Sequence, residues 1–267
     1  MAVSNRPAQR TQWRCRRLRR SIARCLLLLP ACSFAQTSGP TDWKGYASVG
    51  PIAYPKYTSG KGTEKILAPL ISVEYKETAY LDIVRAGVRL WSSGDRKMAL
   101  GLAAEPRFGF KAGDGPRLTG MAARRDSIEL GPAFEWETPM ASINLAYFGD
   151  VTNSSKGASL RGTIYRQLVD SPRWDFGLNA GFDHINARVA NYYFGVGPGE
   201  VTVARALYQP GATTHWSLGG SGAYKFGGSY VLMFGLQATR LGSAATASPI
   251  AETRGAVLGY VGLGWSL

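Results

Sequence analysis

Ile128-Glu129-Leu130-Gly131-Pro132-Ala133-Phe134-Glu135-Trp136-Glu137 alternates from end to end. Ile128, Leu130, Pro132, Phe134 and Trp136 fall on one face, and Glu129, Gly131, Ala133, Glu135 and Glu137 on the other. Successive side chains of a strand point to opposite sides of the sheet, so this stretch reads as a strand with one apolar face and one face of charge among small residues. The pattern recurs in 100–110, where Leu100, Leu102, Ala104, Phe108 and Phe110 oppose Gly101, Ala103, Glu105, Arg107 and Gly109. It recurs in 174–183, where Trp174, Phe176, Leu178, Ala180 and Phe182 oppose Asp175, Gly177, Asn179, Gly181 and Asp183, and less cleanly in 230–237. Strands of soluble proteins run to about 5–6 residues, whereas a tilted membrane-crossing strand needs about 9–11. The runs here are of the longer kind. Aromatic residues gather near their ends (Trp91, Trp136, Tyr147, Phe148, Trp174, Trp216, Tyr224, Phe226, Tyr230, Trp265), as in the interfacial girdles of membrane barrels. A soluble β-sandwich alternates too, but the run length and the aromatic ends favour an all-β, antiparallel, up-and-down transmembrane barrel. A sheet in lipid must close, because every backbone polar group there needs a partner.

Weaker alternation covers about 43–55, 66–76, 79–91, 140–149, 157–168, 214–226 and 255–267. With the four clear runs this makes eleven segments, and single-chain bacterial barrels have even strand numbers. The expectation is twelve strands, with ten as the alternative, and the miscount is placed between residues 40 and 91. Short breaks at 92–96, 138–139, 169–172 and 227–229 read as periplasmic turns. Longer ones at 111–126, 149–156, 187–213 and 242–254 read as outer loops.

The formal charge of +13 suggests nucleic acid until its location is read. Residues 1–35 hold eight arginines and no acid; removing those eight from the chain's 31 basic residues leaves 23 against 18 acids. No nucleic-acid partner is expected. Arg24, the run Cys25-Leu26-Leu27-Leu28-Leu29 and Ser33-Phe34-Ala35 together read as a cleaved signal peptide over 1–35. A short periplasmic segment follows at 36–42, and then the barrel at 43–267. Lipoprotein processing at Cys32 and a disordered basic arm are the alternatives. Cys15, Cys25 and Cys32 all lie in the leader, so the mature chain offers no disulfide or thiolate site. No cofactor or metal is expected.

Several stretches then resemble the MipA/OmpV family of outer-membrane proteins. They are Gly120-Met121 through Arg125-Asp126-Ser127-Ile128-Glu129-Leu130-Gly131-Pro132, Asn191-Tyr192-Tyr193-Phe194-Gly195-Val196, Tyr208-Gln209-Pro210 and Ser248-Pro249-Ile250. Tyr54-Pro55 and Leu67-Ala68-Pro69-Leu70 resemble the family's first hairpin, and the resemblance extends over nearly all of 43–267. It implies a non-enzymatic outer-membrane barrel whose named role is scaffolding, joining a lytic transglycosylase to a murein synthase. Tyr260, Gly262, Trp265 and Leu267 fit the insertion signal read by the barrel-assembly machinery, although Leu267 stands where an aromatic residue is usual.

Three kinds of site follow. The inward faces carry Arg85, Arg89, Glu105, Arg107, Glu129, Glu135 and Asp175, with Arg161, Lys225, Glu137 and Asp183. The near balance of signs suggests a filled or non-selective lumen rather than a selective pore, and a small passive pore for small solutes stands as the alternative function. Asn191, Tyr192, Tyr193, Phe194, Tyr208 and Pro210 form a candidate interaction loop, which alternatively folds over the barrel mouth as a cap. Arg124-Arg125 is placed to meet lipopolysaccharide phosphates, with outer-membrane lipid around the barrel. Asp183-His184 is the nearest thing to a hydrolase site, but adjacent strand residues face opposite sides, so no enzyme is expected.

Overall fold

The computed structural model describes residues 42–267, so the expected signal peptide and the segment that follows it lie outside the described residues, save Asp42. Twelve antiparallel strands close into a barrel: β1 (Trp43–Pro55), β2 (Thr63–Tyr75), β3 (Ala79–Asp82), β4 (Arg85–Ser92), β5 (Met98–Arg107), β6 (Ser127–Glu137), β7 (Ser142–Asp150), β8 (Ala158–Asp170), β9 (Trp174–Ile185), β10 (Thr213–Phe226), β11 (Tyr230–Arg240) and β12 (Gly255–Ser266). Each strand pairs with its neighbours in sequence, and β1 pairs with β12 to close the ring. No helix is long and apolar enough to cross a membrane.

The segment read as one strand over 79–91 is two. β3 and β4 form a tight hairpin in which Asp82 pairs with Arg85, and Ile83 at its turn takes a left-handed φ of 53°. Ile83 donates its N–H to Ile71 O (2.6 Å). This hairpin supplies the missing strand.

The alternation sorts faces as expected. Leu100, Leu130, Leu178, Leu218, Leu236, Val257 and Leu263 point outward and are exposed, a belt of apolar surface that needs lipid against it. Near the short-turn end aromatic rings meet in pairs, including Trp174 with Tyr224 (4.5 Å between centroids) and Trp43 with Tyr75 (4.8 Å). Phe148 departs from the girdle assignment. It points into the lumen, fully buried with Ala103, Ala133 and Ala146. Towards the short-turn end Ala223, Val231 and Met233 pack with Tyr46. The small residues of the inner face have a packing reason: Tyr80, Tyr165 and Tyr260 lie flat over Gly87, Gly177 and Gly235, where a Cβ would stand within 2.3–2.5 Å of the ring.

Candidate functional site: a crossed lumen and a capped mouth

Two layers of charge cross the lumen. In the layer nearer the long loops, Arg107 of β5 bonds Glu129 of β6 (Nε–Oε1 2.7 Å) and Asp183 of β9 (Nη2–Oδ2 3.0 Å). Arg161 of β8 bonds Glu105, Glu129 and Asp183, the last at 3.3 Å, and Arg85 of β4 reaches Glu105 at 3.4 Å. Phe148 underlies this layer, its ring centroid 5.0 Å from the Arg161 guanidinium and 5.7 Å from that of Arg85. Glu129 is 1% exposed and also accepts from Ser159 Oγ (3.4 Å). In the second layer Arg89 joins Glu135 (2.7 Å) and Glu74 (2.8 Å) beneath the ring of Tyr80. Asp175 stands apart from both, held by Gln167 Nε2 (3.0 Å) and Tyr46 OH (3.5 Å). The structure therefore puts all seven expected charges inside and gathers six of them, all but Asp175, with partners that the sequence did not identify as pairs.

Asp183 and His184 do face opposite sides. His184 is exposed and bonds Thr214 Oγ1 (2.9 Å), while Asp183 lies in the lumen layer. The second histidine, His215, is buried inward across the ladder from Asp183, with Nδ1 accepting from Gly242 N (3.0 Å). Among the described residues no cluster of three metal-ligand side chains occurs.

The long loops lock together over one mouth. Asn186 caps the helix Ala187–Phe194 by accepting from Val189 N (3.1 Å). That helix buries Val189, Ala190, Tyr193 and Phe194 against Ile185, Leu241 and Ala245. A second cluster joins four loops through Tyr57, Phe110, Leu118, Met121, Val196 and Ile250, with Tyr208 against it. Arg124 holds Glu200 through both terminal nitrogens (2.8 and 2.7 Å) and donates Nε to Tyr192 O (2.8 Å). Arg205 ties Glu200 O (2.8 Å) to Arg117 O (2.7 Å) and Thr119 O (3.0 Å). Burial pushes the Glu200 carboxyl up, but the Arg124 guanidinium and the N–H groups of Gly197 and Ala122 outweigh it and hold the group down at about 2. Burial, reinforced by Glu252, pushes the Tyr57 phenol well above its ordinary value.

The expected interaction loop is thus mostly cap. Tyr193, Phe194 and Pro210 are buried, Tyr192 and Tyr208 half-buried, and Asn191 exposed. Arg124 is spent on Glu200, so of the arginine pair only Arg125 presents an exposed side chain. Tyr260 and Gly262 of the C-terminal signal face the lumen, while Trp265 and Leu267 are exposed.

The family model for MltA-interacting protein MipA matches residues 47–267. The chain belongs to this family. Members with curated names include outer membrane protein Omp26La of Vibrio anguillarum, 31% identical over 134 residues, and OmpV of Vibrio cholerae, 28% identical over 134 residues. Each alignment covers 50% of this chain and 52% of the relative, so the chain spans about half the length of the curated relatives it matches. Similar solved structures include the NanC porin (TM-score 0.42, 10% identity, 83% of this chain and 100% of that one) and the CymD monoaromatic hydrocarbon channel (TM-score 0.37, 11% identity, 85% and 89%). The relatives are named as outer membrane proteins, not enzymes. With the closed barrel and its apolar belt, this makes the chain an outer-membrane β-barrel of the MipA/OmpV family.

Proposed function

We propose that this protein is a closed outer-membrane barrel that acts as a structural anchor, holding peptidoglycan-remodelling enzymes at its periplasmic end. The observation that carries the first half is the crossed lumen: four arginines and five carboxylates from six strands occupy the bore, and four loops interlock above them. A channel for solutes needs a hydrated path, and side chains paired across the bore obstruct one. The second half takes its partner class from the family's description as interacting with MltA, read as a lytic transglycosylase with a murein synthase beside it. With long loops outward, the short turns face the periplasm, and the exposed Lys44–Glu77–Arg96 cluster lies among them.

Planar-bilayer recording tests the closed bore. Silence is expected, and steady unitary openings would replace the anchor with a passive pore. Binding of a purified lytic transglycosylase to vesicles carrying the barrel tests the partner. Saturable binding that weakens in a Lys44→Glu/Arg96→Glu variant supports the anchor, and no binding to either protein refutes it.

A further inference from the structure

The barrel wall has a gap. β3 is four residues long, while both strands flanking the β3–β4 hairpin run to ten residues or more. β2 meets β3 only through Ser72–Tyr75, and β4 meets β5 only up to Ala104. Beyond the turn at Ile83, residues 63–69 of β2 and 105–107 of β5 therefore face one another with no strand between them. Three strand spacings of about 4.8 Å put their axes about 14 Å apart at the level of the turn. The loops close the opening above: Tyr57 packs against Phe110 (6.0 Å between centroids) and stands over Gly60 and Gly115. The result is a window framed by Ile83 and Val84 below, β2 and β5 at the sides and Tyr57 on top.

The frame has a chemical pattern. Lys76 of the β2–β3 turn donates to Asp42 and Ile71 accepts from Ile83, so alternation points the backbone groups of Lys65, Leu67 and Pro69 into the window. Glu137 donates to Lys97 O, so the same alternation points Pro106 into it from β5. Both prolines lack an N–H, as suits an edge that takes no further strand. On the β2 edge a partner strand would find donors at Thr63, Lys65 and Leu67. Those N–H groups lie towards the loop end and the prolines deeper. Lipids match this order, because their phosphate and ester oxygens accept hydrogen bonds near the surface while the acyl chain below offers and needs none. Outside, Leu67 (76% exposed), Val84 (51%) and Phe108 (60%) give the window an apolar border.

Charge at the rim chooses the lipid. Lys56, Lys61, Lys65 and Lys111 are exposed around the opening and make no ion pair among the described residues. Three nearby acids are committed to local donors, Asp114 to Lys111 N, Asp126 to Gly109 N, and Glu252 to Lys61 N and Tyr57 OH, which leaves Glu64 of β2 as the one exposed acid set against four lysines. We propose that the window between β2 and β5 is a binding site for one anionic membrane lipid, its acyl chain seated in the gap and its phosphate on the lysine rim. The proposal does not depend on the anchor role or on whether the bore conducts.

The described chain contains no cysteine, so a single one introduced for labelling reports alone. The protein carrying a bimane on Val84→Cys, or on Val257→Cys of β12 outside the window, is placed in phosphatidylcholine vesicles holding a small fraction of dibrominated phosphatidylglycerol or phosphatidylcholine. Quenching at position 84 should favour the brominated anionic lipid by about ten-fold over the zwitterionic one, the pull expected of a few surface lysines, while position 257 reports bulk lipid. The Lys61→Gln/Lys65→Gln/Lys111→Gln variant should lose that preference. Inserting four residues between Ile83 and Val84, which lengthens the hairpin and fills the gap, should lose it too; a heat-modifiable gel shift verifies that each variant is folded. Equal quenching at both positions, a preference untouched by either variant, or displacement of the lipid by inorganic phosphate would overturn the proposal.

Discussion

Glu129→Gln is the sharpest probe of the crossed lumen. In the layer near the long loops three carboxylates (Glu105, Glu129, Asp183) answer three guanidiniums (Arg85, Arg107, Arg161). Glutamine keeps the shape and one acceptor for Arg107 Nε but removes a charge, leaving an uncompensated guanidinium among groups with little access to water. Breaking a buried pair from one side costs about 3–5 kcal/mol. The surviving amide acceptor puts this case near 3 kcal/mol, about a hundred-fold in the folded-to-unfolded ratio. Urea unfolding in phosphatidylcholine vesicles, read by tryptophan emission and gel mobility, gives the number. Adding Arg161→Gln restores the balance of charge, so the double variant should be less unstable than the sum of the single ones, with a coupling of about 1–3 kcal/mol. A loss within about 0.5 kcal/mol, the level of an ordinary surface change, would mean that water already solvates these groups. The bore would then be wet, and the argument for a closed barrel would fail.

Phe148→Ala should cost about 3–5 kcal/mol by opening a cavity beneath Arg85 and Arg161, read in the same unfolding assay, whereas a girdle residue at that position would cost far less. Asn186→Ala should destabilise the cap helix by about 1 kcal/mol, seen as faster proteolysis within 186–212 with the barrel's mobility shift unchanged. The Glu200 carboxyl is held at about 2 in the folded cap against an ordinary 4.5, so its contribution is complete above pH 4.5 and disappears as pH falls through 2. Pepsin nicking of the cap, normalised to unfolded chain, should rise across that window and flatten in Glu200→Gln. His184→Ala should change stability by no more than about 0.5 kcal/mol, because its ring is exposed and holds only Thr214.

Alternation made the faces legible, and with them the barrel, because a membrane strand needs one apolar side along its whole length. It carried less about length and partners. The hairpin at Ile83 escaped notice because its turn holds no glycine, asparagine or proline, the residues that usually mark a chain reversal. Alternation before Trp91 does fail, because the inward face passes from Tyr80 and Asp82 to Arg85 and Arg89, an odd step that placed the miscount between 40 and 91 without marking the turn itself. Phe148 reads as girdle because it follows Tyr147 near a strand end, yet one step of the pleat sends it inward beneath two guanidiniums. The lumen charges were visible one by one, but Arg107 meets an Asp183 that lies 76 residues away, across the barrel. Such a pairing depends on closure and stagger, which no local pattern encodes. The cap escaped for a related reason: Tyr193 and Phe194 look like a presented aromatic surface until the helix that carries them is seen to turn its apolar side down onto Ile185 and Leu241. A period of two fixes which way a residue points while leaving open where the strand stops, and in this barrel the early stop after Asp82 is what opens the wall.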